Sequence, residues 1–223
     1  MFEIIVPLVN NPTNLGVNDL SVRTTDTLGR QVIKSTSIHT LIRFNSTLSA
    51  FDIELFNDEA PITVANFFND VDSYENSIVH RSPNVQFVQG GGFLSENDNI
   101  QSVAPQPSII NEFNGANENV RGTLSMALVP NSPKSGTSQW FFNAADNSAT
   151  LDPNLNTAFS RVSGTGATIL DAIDNIPDDD ISSLLDSILQ SQNSLDWIVI
   201  RGIPASFIRM VNYRLQSPIF LGV

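Results

Sequence analysis

Short runs in which apolar and polar residues alternate recur along most of this 223-residue chain, and they restrict its fold more than any other feature. Alternation at period two is the signature of half-buried strands. It appears in 38–45 (IHTLIRFN), 50–56 (AFDIELF), 77–81, 84–89, 122–129 (GTLSMALV), 138–143 (SQWFFN), 157–162 (TAFSRV) and 196–203 (DWIVIRGI). In 50–56, Phe51, Ile53 and Leu55 share one face, with Asp52 and Glu54 on the other. The runs at 38–45 and 50–56 flank NSTLS and read as an antiparallel hairpin.

Helical period is confined to three stretches. Val64, Phe67, Phe68 and Val71 follow Pro61 at i, i+3, i+4 and i+7, with Asp58 and Glu59 placed to favour the helix N-terminus. A second stripe occupies 168–176. A third occupies 180–190, with aspartates 178–180 as its acidic start; the spaced ligand pattern of a calcium loop is missing there. Residues 93–117 read as a long polar surface loop. Many short strands with few helices predict a mainly β fold, a closed antiparallel barrel or a sandwich. The expected division is an N-terminal extension over 1–37, with short strands at 2–9 and 30–34, a domain over 38–203 and a tail over 204–223.

Composition narrows the function. Apolar residues make up 41% of the chain, with 14 phenylalanines, enough for a substantial core. The net charge of −12 and the presence of only two lysines exclude nucleic acid and anionic membranes as partners, since phosphate recognition needs clustered positive charge. No cysteine is present, so disulfides, thiolate metal sites and cysteine nucleophiles are excluded. The N-terminal residues lack the pattern of a signal peptide, and no apolar run is long enough to span a bilayer. The acidic, lysine-poor composition nonetheless fits an exported or periplasmic bacterial protein. A monomer is expected.

The stretch 79–93, VHRSPNVQFVQGGGF, carries the chemistry. If the chain from Arg81 to Gln89 is extended, the two side chains share a face. Three glycines follow, which let backbone approach closely. The plain alternative is a solvated strand arginine beside a glycine bulge. In 138–143, alternation sends one of Trp140 and Phe141 inward and the other outward. His39 and His80 lie far apart with no acidic or serine motif, so both read as structural and no triad is expected.

Taken in order, VHRSPNVQFVQGGGF, GTLSMA, TSQWFF and TLDPNLNTAFSRV resemble the cyclophilin family of peptidyl-prolyl cis–trans isomerases, over roughly residues 38–176. The resemblance implies a closed eight-stranded antiparallel barrel capped by two helices, here with an extra short helix and terminal extensions. It implies Arg81 as the catalytic arginine, Gln89 as the groove glutamine and Phe141 as the floor of a proline pocket. Phe87, Met126, Ala127, Gln139, Leu151 and Asn156 fall on substrate-binding positions. Proline-containing polypeptides are the implied substrates, with no metal and no cofactor. The chain departs from the family pattern at Gln86, where an aromatic is usual, so that Phe87 supplies the ring; at Leu128; at Thr150, in place of a tryptophan; and at Asn156, in place of a histidine. Gln86, Thr150 and Asn156 motivate a rival, a catalytically weak module that holds proline peptides. A carbohydrate- or surface-binding β domain is a more distant alternative, suggested only by composition.

Overall fold

A computed structural model describes residues 17–39, 41–46, 48–75, 77–83, 85–96, 99–175, 178–179, 203–204 and 214–216. The first elements are β1 (Val17–Thr25) and β2 (Gln31–His39), paired along their whole length from Val17↔His39 to Thr25↔Gln31. Their turn is built by Asp26, whose carboxylate accepts the Leu28 and Arg30 amides at 2.9 Å each, and by Gly29 at φ 76°. Leu28, Val32 and Ile33 on this ribbon are exposed. A short strand over 30–34 and one continuous run over 38–45 were the expectations. Instead Ile38 and His39 complete β2, and β3 (Leu41–Asn45) opens the main sheet.

The further strands are β4 (Ala50–Leu55), β5 (Phe87–Gly90), β6 (Phe93–Glu96), β7 (Asn99–Ser102), β8 (Thr123–Met126), β9 (Trp140–Asn143), β10 (Ala158–Ser163), β11 (Asp178–Asp179), β12 (Ile203–Pro204) and β13 (Arg214–Gln216). The helices are α1 (Pro61–Asp70), α2 (Ser148–Leu151) and α3 (Gly166–Asp174). The main sheet is antiparallel, in the order β13-β3-β4-β10-β8-β9-β5. Because α3 touches β4, β10 and also β5, which lies at the sheet's far edge, the sheet must curl. Its inner face holds the core.

The buried face of β4 is the predicted one: Phe51, Ile53 and Leu55 are each at most 4% exposed. Asp52 and Glu54 point outward to Arg43 and Arg161, their cross-strand partners. Inside, Phe44 lies 5.3 Å from both Phe51 and Phe142 and 5.6 Å from Trp140, ring centre to ring centre. From α1, Val64 and Phe67 are buried in this cluster, and Phe68, with Val71 just past the helix end, packs against its rim.

Several expectations are corrected. Asp58 and Glu59 lie just ahead of α1 as expected, but the carboxylate that caps its first turn is that of Glu112, which accepts the Ile62 amide at 3.0 Å and the Thr63 amide at 2.7 Å. The 93–117 loop contains the β6–β7 hairpin. Asp178 and Asp179 pair with Pro204 and Ile203. From the tail, Arg214–Gln216 joins the main sheet beside β3. The helix expected at 180–190 and the strand expected at 2–9 lie outside the described residues, as does all but Ile203 of the strand expected at 196–203. Among the described residues no helix is long and apolar enough to cross a membrane.

Candidate active site

Strand register decides which side chains meet. Gln89 and Ser125 both stand opposite Phe141, whereas Gly90 and Met126 stand opposite Trp140. Opposed residues share a face, so Phe87, Gln89 and Phe141 lie on the outer face, where Phe87 is half-buried and Gln89 and Phe141 are only 8% and 5% exposed, while Val88, Met126, Trp140 and Phe142 lie on the inner face. Trp140 is accordingly core at 1% exposure. Met126, expected to bind substrate, is also 1% exposed and packs inward.

Arg81 reaches the outer face by a route the sequence pattern did not suggest. The chain from Arg81 to Gln89 is not extended: it turns at 83–86, where the Gln86 amide donates to the Pro83 carbonyl at 3.1 Å and Val85 sits at φ 63°. Arg81 therefore returns directly opposite Gln89, whose amide donates to the Arg81 carbonyl at 2.7 Å. The two side chains meet, but across a turn.

The guanidinium lies 4.7 Å above the Phe87 ring and donates to Gln89 Oε1 at 3.4 Å. Gln89 Nε2 in turn donates to Gln139 Oε1 at 2.8 Å. The Phe87 and Phe141 ring centres are 5.6 Å apart. Burial lowers the Arg81 pKa from its ordinary value, and a guanidinium still remains charged at neutral pH. The result is one cation with donors to spare, aligned by two amides beside an aromatic surface.

The remaining predicted residues stand around this group. Ala127 is half-buried, and its amide donates to the Gln139 carbonyl at 3.0 Å. Leu151 is half-buried at the end of α2. Asn156 is 7% exposed and donates its side-chain amide to the Met126 carbonyl at 3.2 Å, so it holds the end of β8. Gln86 and Thr150 are exposed. Sequence reasoning missed a buried polar network behind the strands. Asn119 gathers Asp152, Ser125 and the Asn156 carbonyl, and Asn143 adds Thr123. Its members are ordinary loop and strand polar residues, and no spacing marks them.

Residues 41–193 match the model of the cyclophilin type peptidyl-prolyl cis-trans isomerase/CLD family. The chain belongs to the cyclophilin family. A peptidyl-prolyl cis-trans isomerase of Acinetobacter baylyi is 37% identical over 144 residues, 62% of this chain and 74% of the relative. Peptidyl-prolyl cis-trans isomerase B of Escherichia coli is 38% identical over 109 residues, 48% of this chain and 64% of the relative. Among solved structures, a cyclophilin type peptidyl-prolyl cis-trans isomerase of Cryptosporidium parvum superposes with a TM-score of 0.58 at 19% identity, covering 81% of this chain and 99% of the other. Another structure of that protein, in the presence of the dipeptide Ala-Pro, gives 0.56 at 20% identity and covers 79% and 99%.

One residue of this cyclophilin lies directly behind the site and titrates. His80 is fully buried, edge-on to Phe93 at 5.0 Å, and burial lowers its pKa from 6.5 to about 4, with the Arg81 charge acting in the same direction. Above pH about 6.5 both folded and unfolded chains hold a neutral ring. Below it the unfolded chain takes up a proton that the folded one refuses, so stability falls until pH about 4. The expected loss is up to about 3 kcal/mol. Denaturant unfolding at pH 7 and pH 4.5 should show it, and His80→Gln should flatten that difference. An equal pH dependence in both proteins would refute the assignment.

Proposed function

We infer that this chain is a peptidyl-prolyl cis–trans isomerase that accelerates rotation about X–Pro bonds in unfolded or flexible polypeptides, assisting their folding. The observation that carries this is the half-buried Arg81 guanidinium, braced by Gln89 and by Phe87, whose ring lies 5.6 Å from that of Phe141 on the same sheet face. An amide resists rotation by roughly 18–20 kcal/mol because the nitrogen lone pair is delocalised into the carbonyl. X–Pro bonds therefore exchange over tens to hundreds of seconds, slowly enough to limit folding.

An enzyme needs only to bind the twisted amide better than either planar form. Arg81, donating to the proline nitrogen as it pyramidalises, localises the lone pair and removes the resonance that opposes rotation. Its fixed planar donors suit that task. The rings of Phe141 and Phe87 receive the pyrrolidine, with Ala127 and Leu151 as flanking contacts. Gln89 and Gln139 hold the guanidinium or orient the rotating carbonyl. The Cryptosporidium parvum structure determined in the presence of the dipeptide Ala-Pro supports a proline-containing ligand. Met126 acts only from behind, through packing, and Asn156 by fixing the β8 end. Bond rotation itself calls for neither metal nor cofactor. We also propose that the curled sheet closes into the family's eight-stranded barrel, which the Ser77↔Leu94 and Arg81↔Gln89 bridges support. A monomer in an exported or periplasmic setting remains the accompanying proposal.

Exchange NMR on a short X–Pro peptide tests the activity. Catalytic amounts of protein should bring cis–trans exchange into the observable range, and Phe141→Ala should raise KM about tenfold through lost apolar contact. Peptide binding without faster exchange would make the protein a proline-peptide binding module instead.

A further inference from the structure

The last residue of α3 is Asp174, and helix electrostatics disfavour a carboxylate there, because the C-terminal end already carries unpaired carbonyls. It is nevertheless 9% exposed, and both its oxygens are used. Oδ1 accepts the Ser82 hydroxyl at 2.9 Å and Oδ2 accepts the Val85 amide at 2.8 Å. Both donors lie in the turn between Arg81 and Phe87. In that turn Val85, β-branched and exposed, is held at φ 63°, a left-handed conformation that such a residue strongly resists. Strain of this kind persists only where surrounding contacts enforce it.

We propose that Asp174 is a positioning residue for catalysis: its carboxylate locks the 82–85 turn in a strained conformation and thereby sets Arg81 against Phe87 and Gln89. This rests on the isomerase function proposed above. Ser82 is 1% exposed, so its half of the clamp is shielded from water, an environment that strengthens a charge-assisted hydrogen bond. The two bonds bridge 92 and 89 positions of chain, tying the second half of the domain to the catalytic turn.

The test compares wild type, Asp174→Ala, and the double variant Asp174→Ala with Val85→Gly, since glycine adopts positive φ without a clamp. Removing the clamp should expose the Val85 amide to hydrogen exchange. It should lower kcat on the order of tenfold with a smaller change in KM, because misplacing the guanidinium affects the rotating state more than ring binding. The double variant should recover most of kcat. A purely structural carboxylate would not be rescued by glycine at position 85. Should Asp174→Ala not fold, Asp174→Asn, which keeps the shape and one acceptor, should give a fall of about threefold with the same rescue. The proposal is overturned if kcat stays within about twofold of wild type, if the Val85 amide stays protected, or if glycine fails to restore turnover. An inactive wild type would instead overturn the isomerase function, and amide exchange would still decide whether the clamp exists.

Discussion

Replacing Arg81 by alanine should lower kcat/KM for an X–Pro peptide by on the order of a hundredfold while leaving the fold in place. The first half follows from the role of the guanidinium. Removing one pre-aligned donor from the place where charge develops typically costs a factor of a hundred or more. The second half follows from its surroundings. The side chain is half-buried, its hydrogen bond to Gln89 is long at 3.4 Å, and its other contact is the face of Phe87. Losing these should cost no more than about 1 kcal/mol of stability. Arg81→Lys should remain slow, since an ammonium on a flexible stem lacks the planar fork that Gln89 and Phe87 align. Isomerase kinetics and thermal unfolding on the same samples check both halves. A loss of less than about threefold in the alanine variant would remove Arg81 from the mechanism.

The second large effect is on stability. Gly91→Ala should destabilise the domain by about 3 kcal/mol or more. Gly91 has φ 77°, and an added Cβ would lie 2.6 Å from the Ser138 carbonyl oxygen and 2.8 Å from the Trp140 indole. The first obstacle is backbone, and the second is a fully buried ring that contacts Phe44, Tyr74 and Phe142. Neither can yield cheaply. Denaturant unfolding followed by fluorescence of the two tryptophans should report the loss. A midpoint unchanged within error would mean the turn relaxes where the packing implies it cannot.

The glycine run shows what the sequence revealed and what it hid. That three consecutive glycines mean close backbone approach was legible from the residues alone. That the approaching group is the face of Trp140 for Gly90, and the Ser138 carbonyl for Gly91, was not, because those partners lie about 50 positions away. The alternating strand faces were legible for the same reason that α1 was: burial enforces a period. Phe51, Ile53 and Leu55 needed no tertiary information. Met126 shows where that logic gives out. The family resemblance sets both Met126 and its neighbour Ala127 on the groove, and only the pairing of Met126 with Trp140 reveals that it points inward. Arg81 and Gln89 were correctly brought together on a wrong premise, an extended chain, since the turn rests on a non-glycine residue at positive φ. Asp174 left no trace, because a carboxylate ending a helix has no sequence signature when its partners lie some 90 residues earlier.

The pairing of β4 with β10 has a consequence for how the protein is made. Glu54 receives the Ser160 hydroxyl on its carbonyl across 106 positions of chain. On a ribosome adding about 5–20 residues per second, the β3–β4 hairpin therefore waits roughly 5 to 20 s with both hydrogen-bonding edges and the Phe51, Ile53, Leu55 face uncovered. A nascent chain in that interval is a sticky, half-finished sheet. It completes itself only when the last third of the domain emerges to cover it.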